Sequence, residues 1–167
     1  MNRHLVITLV GADRPGIVER LARTVVEHEG TWEESRMANL GGQFAGILRI
    51  RLHETKLPAL SEALQTMEGL QVSIAPAGED EPAEKLYCLN LLGQDRPGIV
   101  HRVSAALARA GASVDDMETE VLDASMSGEK LFKARIALRL PDEDAVEALR
   151  QRLEAIADEL IVDIELD

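Results

Sequence analysis

The stretch Gly11-Ala12-Asp13-Arg14-Pro15-Gly16-Ile17-Val18 occurs a second time as Gly93-Gln94-Asp95-Arg96-Pro97-Gly98-Ile99-Val100. Seven of the eight positions are identical, and the copies start 82 residues apart. Each copy follows a short apolar run and opens an amphipathic segment, which predicts a strand, a Gly/Asp/Pro turn and a helix. Two copies in 167 residues indicate an internal duplication into two units.

The same succession of elements follows each copy of the repeated turn. In the first unit, a strand over His4–Val10 precedes the turn, Gly30 ends the helix, and two strands flank Leu40-Gly41-Gly42. A second helix and a last strand complete the order β-α-β-β-α-β. The sequence therefore predicts the α+β class: two ferredoxin-like units in tandem, each an antiparallel sheet with two helices on one face.

This topology places the elements of each sheet in a defined order. We expect the strands in the order fourth, first, third, second, with the second strand at an edge. The repeated turn and the hairpin that follows it then lie at the same end of the sheet. We assign residues 1–76 to the first unit, 77–84 to a polar linker containing Gly and Pro, and 85–167 to the second unit. The closing strand is predicted over Leu160–Leu166.

Charge is distributed unevenly along the chain. Residues 1–78 hold 8 basic and 9 acidic side chains, whereas residues 79–167 hold 10 basic and 21 acidic ones, within a total of −12. Phosphate-backbone binding needs clustered Lys and Arg, so this balance disfavours direct contact with nucleic acid. No apolar run reaches membrane-spanning length, and no signal peptide is visible, so we expect a cytoplasmic protein without a membrane contact.

The repeated turn brings two chemical features together in each unit. A helix N-terminus carries a partial positive charge and unpaired N–H donors, which suit a carboxylate. Asp13 and Asp95 lie one short turn away and can accept hydrogen bonds from an ammonium group. A zwitterionic amino acid needs both features. The structural alternative is that Asp caps the helix while Pro-Gly forms the turn.

The second strand of each unit contains more polar residues than is usual for a half-buried strand. Glu33 and Glu34 are expected opposite Arg49 and Arg51, and an acidic series is expected opposite a basic one in the second unit: Asp116, Glu118 and Glu120 facing Lys133, Arg135 and Arg139. Such pairs stabilise a sheet weakly. Alternatively, the charged edge is kept for pairing with another unit of the same kind or with a partner.

The Gly-x-Asp-Arg-Pro-Gly-Ile-Val loop, between a strand and a helix of a βαββαβ unit, resembles that of the ACT domain, a small regulatory module that commonly binds amino acids. Two such units fill almost the whole chain, which is similar to the glycine cleavage system transcriptional repressor family. The stretch Glu34-Ser35-Arg36-Met37-Ala38 before a Leu-Gly turn adds to that resemblance.

The resemblance implies ligand contacts at both loops. Those loops are Asp13, Arg14, Pro15, Gly16 and Ile17 in the first unit, and Asp95, Arg96, Pro97, Gly98 and Ile99 in the second. In amino-acid-binding ACT pairs, each loop works with the start of a neighbour's second strand, where an Asn is common. Trp32 and Ser113 hold that position here. If the units pair within the chain, Asp13 shares a site with Ser113, and Asp95 shares one with Trp32.

Other functions of this topology lack their residues. No Ser/His/Asp or Cys/His set occurs at plausible strand ends, so we do not expect an enzyme. An RNA-recognition module needs aromatic residues on its first and third strands. A heavy-metal-associated domain needs a Cys-x-x-Cys loop, whereas the sequence has the single cysteine Cys88. No cofactor or metal is expected.

The sequence therefore favours a regulator that acts by binding. The expected ligand is a small amino acid such as glycine or serine, and the expected assembly is a homo-oligomer. The family resemblance implies a protein partner, a transcriptional activator of glycine cleavage genes. The alternative is an amino-acid-binding regulatory subunit of a metabolic enzyme.

Overall fold

The computed structural model describes residues 1–79, 85–160 and 162–167. These form two compact units, Met1–Asp80 and Glu81–Asp167. Of the linker predicted over 77–84, residues 80–84 lie outside the described ranges. Each unit is described by itself below.

The first unit has the predicted order of elements. They are β1 (Asn2–Ala12), α1 (Ile17–Glu27), β2 (Thr31–Leu40), β3 (Gln43–His53), α2 (Leu57–Gln65) and β4 (Leu70–Pro76), with a short 3-10 turn (Glu54–Lys56) before α2. The sheet runs β2-β3-β1-β4, and all neighbouring strands are antiparallel. The predicted strand order, with the second strand at an edge, is confirmed.

The second unit repeats this arrangement. Its elements are β5 (Leu86–Gln94), α3 (Ile99–Arg109), β6 (Ser113–Asp123), β7 (Lys130–Arg139), α4 (Glu143–Leu160) and β8 (Val162–Leu166), and its sheet runs β6-β7-β5-β8. The predicted start of the closing strand at Leu160 is wrong. Leu160 ends α4 and packs against the core, consistent with the high helix propensity of leucine.

One face of each sheet is buried beneath its two helices. On β1, Leu5, Ile7 and Leu9 are buried, while Val10 on the other face is 43% exposed. On α1, the buried residues Ile17, Leu21 and Val25 recur at helical spacing. Each unit thus has its own apolar core, and that core fixes the direction in which the repeated loop leaves the sheet.

A β-bulge near the start of each edge strand changes the predicted ion pairs. The register shifts between Trp32 and Glu34 in β2, and Glu33 at the bulge contacts both Arg49 (3.5 Å) and Arg51 (3.3 Å). Glu34 lies opposite Arg49 in the register. The expectation of acidic residues facing Arg49 and Arg51 therefore holds, with Glu33 as the residue that contacts both.

The second unit has its bulge at the corresponding place, between Val114 and Asp116. Asp115 at this bulge contacts Arg139 at 2.9 Å. Of the three acids expected to face the basic series, Glu118 lies opposite Arg135 in the register, whereas Asp116 lies opposite Ala137. Glu120 contacts Lys133 at 3.6 Å, as expected. A bulge adds one residue to one strand, so it shifts which acidic side chain meets the arginine.

Candidate functional site

Both repeated loops are tied to the hairpin at the same end of their sheet. The main-chain N–H of Asp13 donates to the carbonyl of Gly42 at 2.9 Å, and that of Asp95 donates to the carbonyl of Lys130 at 2.9 Å. The loop and the hairpin therefore lie together, as the topology predicts. Each aspartate is held by its main chain, which leaves its exposed side chain directed by local contacts.

The two helix N-termini have matching geometry. Gly16 precedes α1 with a φ of 88°, and Gly98 precedes α3 with a φ of 89°. This left-handed conformation favours glycine. A Cβ built on either glycine would meet no atom of the described chain within 4 Å, so the space in front of both helix ends is open.

The alternative in which Asp caps the helix is not what the structure has. Neither α1 nor α3 shows a side-chain hydrogen bond at its N-cap among the described residues. The intrahelical ladder starts with the N–H groups of Arg20 and Arg102, which donate to Gly16 and Gly98. The N–H groups of the first turn are therefore left for another acceptor.

The two aspartates differ in their side-chain contacts. In the first unit, Nδ2 of Asn39 donates to Oδ2 of Asp13 at 2.6 Å. In the second unit, Val121 lies opposite Phe132, as Asn39 lies opposite Phe44. The Asp95 carboxylate makes no hydrogen bond or ion pair with a residue that the structure describes. The first loop is thus ordered by a side chain that the second lacks.

The two arginines of the repeat lie beside different groups. A Cβ at Gly69 would be 3.8 Å from Cζ of Arg14, so this guanidinium lies close to the turn before β4. Nη2 of Arg96 instead donates to Oε1 of Gln94 at 3.1 Å. In neither contact does the arginine bind the aspartate of its own loop.

The remaining loop residues divide into core and surface positions. The side chains of Ile17 and Ile99 are buried at 4% and 2% exposure, which anchors each helix start in its core. Their main-chain N–H groups belong to the open first turn. Pro15 and Pro97 are exposed at the rim of the same space.

Trp32 and Ser113 take different positions at the starts of the edge strands. Trp32 is partly buried and packs against the core of its own unit. Ser113 begins β6 and is exposed. Their pairing with Asp95 and Asp13 stays a prediction.

Two features bear on other site types. Within residues 1–79, 85–160 and 162–167, no group of three or more His, Cys, Asp and Glu is arranged to hold a metal ion. No helix in those ranges is both long and apolar enough to cross a membrane.

Family profiles for the ACT domain match residues 3–75 and 89–158. The chain belongs to the ACT-domain family. Each match lies within one βαββαβ unit, so this is a tandem ACT protein with one repeated loop in each domain.

The similar proteins match over nearly the whole of this chain, which includes both ACT domains. The chain is 26% identical over 166 residues to the glycine cleavage system transcriptional repressor of Escherichia coli, covering 95% of this chain and 86% of that one; the match to the Shigella flexneri repressor has the same values. A crystal structure of an unknown protein from Galdieria sulphuraria matches with a TM-score of 0.89 and 32% identity, over 100% and 98% of the two chains.

The crystal structure of a putative glycine cleavage system transcriptional repressor has the same fold. Its TM-score is 0.65 at 20% identity, over 100% of this chain and 97% of that chain. At that identity the likeness concerns the fold alone.

Asn39 is the ACT-loop contact that the sequence reasoning missed. The signal was available, because the topology places the end of the second strand beside the repeated loop. Asn39 stands two residues before Gly41, near the end of β2. An amide there is within reach of the aspartate, and the second unit has Val121 instead.

Proposed function

We propose that this tandem ACT protein is a non-catalytic regulator that binds a small amino acid, such as glycine or serine, at its repeated loops. Its two ACT domains and its similarity to a curated repressor support a regulatory role. The observation that supports amino-acid binding is the open helix N-terminus, which lies beside an aspartate that does not cap the helix. The helix N–H groups would hold the ligand carboxylate, and the aspartate would accept from its ammonium group.

In this proposal, each site is completed by the start of an edge strand from another ACT domain. Asp13 would work with Ser113, whose hydroxyl can hydrogen-bond a ligand, and Asp95 with Trp32. Because Trp32 packs against its own core and offers no amide, the Asp13 site is the better candidate. The edge strands would meet within the chain or between chains of a homo-oligomer.

The proposed output is contact with a protein partner in the cytoplasm, without direct nucleic-acid binding. By similarity to the Escherichia coli repressor, the partner would be a transcriptional activator of glycine cleavage genes. Ligand shifts the arrangement of the ACT domains only if it binds one arrangement more tightly than the other. The second candidate, from the ACT assignment, is a regulatory subunit of a metabolic enzyme.

A thermal-shift screen against the twenty amino acids tests the ligand. Ligand at about 100 times its dissociation constant adds about 2.7 kcal/mol, which raises the unfolding midpoint by roughly 5–10 °C for a chain of this size. Asp13→Ala should abolish the shift, whereas Asp95→Ala should retain it. The absence of a shift with every amino acid would refute the sensor proposal.

A reporter of glycine cleavage gene expression tests the output. Deletion of the gene should raise expression in cells grown without glycine, and restoring Asp13→Ala should leave a regulator that does not respond to the amino acid. Unchanged expression of the glycine cleavage genes on deletion would refute the proposed repressor function. Co-purification of a metabolic enzyme would then favour the second candidate.

A further inference from the structure

The groove between α3 and α4 carries a cluster of positive charge that the proposed function does not use. It has a volume of about 290 Å³ and is lined by Arg102, Arg109, Arg152 and His101, together with the apolar residues Ala105, Ala106, Ala155 and Ile156. This cluster is unusual for its setting, because residues 79–167 hold 21 acidic and 10 basic side chains.

The register of the two helices places Arg109 and Arg152 opposite each other. The guanidinium of Arg102 forms an ion pair with Glu159 across the groove. The helices are antiparallel, since they follow the antiparallel strands β5 and β7. Arg109 lies seven residues after Arg102, and Arg152 lies seven residues before Glu159. Seven residues are two turns, or about 10 Å, so the two arginines both line the other end of the groove.

Neither arginine at this end has an acidic residue at helical spacing on its own helix. The positions three and four residues before and after Arg109 and Arg152 hold only Ala, Leu, Ile and Ser. Both side chains are exposed, and neither makes an ion pair or hydrogen bond with a residue in the described ranges. Arg150, on another side of α4, instead has Glu147 and Glu154 at helical spacing.

At the first end of the groove, the charge of Arg102 is neutralised by its ion pair with Glu159. The pKa of Glu159 is lowered by its hydrogen bond and attraction to Arg102, and the pKa of Arg102 is raised by the same contact. Both groups are therefore charged at neutral pH and neutralise one another. The charge of Arg109 and Arg152 is left without such a partner.

We propose that the groove between α3 and α4 binds a phosphate dianion, free or carried by a small metabolite, between the guanidinium groups of Arg109 and Arg152. An arginine presents a planar set of N–H donors that matches phosphate oxygens two at a time. A phosphate group has enough oxygens for two arginines, whereas one carboxylate is matched by a single guanidinium. The small alanine side chains of the groove leave room for the phosphate group, and its charge relieves the repulsion between the two cations.

Calorimetric titration at constant ionic strength tests the site, with inorganic phosphate in one arm and glycerol 3-phosphate in the other. We expect binding in at least one arm, and tighter binding of glycerol 3-phosphate would assign the site to a metabolite. Arg109→Gln and Arg152→Gln should each weaken binding by about tenfold or more. Arg150→Gln, on the same helix, is the matched control and should bind like the wild type.

A second measurement uses the unliganded protein. Because two like charges face each other, Arg152→Gln should raise the unfolding midpoint in buffer without phosphate, while Arg150→Gln should lower it or leave it unchanged. Phosphate also stabilises proteins by exclusion from their surface, but that effect is the same in all variants. No binding in either arm, or equal binding by Arg152→Gln and Arg150→Gln, overturns the site.

Discussion

The side-chain amide of Asn39 donates a 2.6 Å hydrogen bond to the carboxylate of Asp13, and no equivalent bond exists for Asp95 among the described residues. The bond uses Oδ2 of Asp13 and leaves Oδ1 for another donor. Two loops of nearly identical sequence therefore differ in how their aspartate side chain is held, because the edge strands beside them carry different residues. Orientation of a carboxylate before the ligand arrives lowers the entropy that binding must overcome.

Exchange of the two strand residues tests this difference. Asn39→Val should weaken amino-acid binding at the Asp13 loop by about fivefold to tenfold, the range expected for loss of one partly exposed hydrogen bond to a charged group. Val121→Asn should raise the amino-acid affinity of the Asp95 loop toward that of the Asp13 loop. Titration calorimetry of both variants measures the change. Unaltered affinity in Asn39→Val would mean that the amide plays no part in orienting Asp13.

The fold was predictable from the sequence because its signals are local and occur twice. Gly11 to Val18 and its copy mark the end of a strand and the start of a helix in each unit. The ion-pair partners were less predictable, since a bulge inserts Glu33 between Trp32 and Glu34. Main-chain register, and not composition, decides which acid meets Arg51. The Asn39 contact depends on hairpin geometry in the same way.

Glycine at the repeated turn is required for two different reasons. A Cβ at Gly11 would lie 2.1 Å from the carbonyl oxygen of Gly69, so Gly11→Ala must push main chains apart and should cost more than about 2 kcal/mol. Gly16 has open space but a φ of 88°, so Gly16→Ala should cost about 1–2 kcal/mol through strain alone.

Thermal unfolding measures both glycine substitutions. About 1 kcal/mol corresponds to roughly 4–8 °C in a unit of this size. Gly78→Ala is the control, because its Cβ meets no described atom within 4 Å and its φ lies outside the left-handed range. A loss in Gly16→Ala as large as that in Gly11→Ala would contradict the distinction between strain and collision.

Glu33 contacts three basic side chains on the face of the first sheet that is not covered by helices. Its carboxylate lies 2.9 Å from Nδ1 of His4, in addition to its contacts with Arg49 and Arg51, and its side chain is 26% exposed. Glu33→Gln should lower the unfolding free energy by about 1–2 kcal/mol, since it leaves two neighbouring arginines without this charge. Glu34→Gln should have less effect. Urea denaturation followed by circular dichroism compares the two variants, and equal losses would contradict the role of the bulge.

The ion pair between Arg102 and Glu159 makes a contribution to stability that depends on pH. The pKa of Glu159 is lowered in the folded protein, chiefly by its hydrogen bond with Arg102. An unfolded glutamate has a pKa of about 4.3. The contribution is therefore fully present above that value and is lost as the pH falls through the lowered folded pKa.

Substitution of Glu159 isolates this contribution from other acid effects. We expect the unfolding midpoint of wild type to exceed that of Glu159→Gln at neutral pH, and we expect the difference to shrink as the pH falls through the lowered folded pKa of Glu159. Added salt should also reduce it, because the pair lies at the surface, with the side chains of Arg102 and Glu159 36% and 64% exposed. Glu154→Gln, on the same helix, should show no such convergence. Because Glu159→Gln keeps the side-chain stem, a wild-type advantage that persists unchanged at low pH would mean that the charge of the Glu159 carboxylate is not its source.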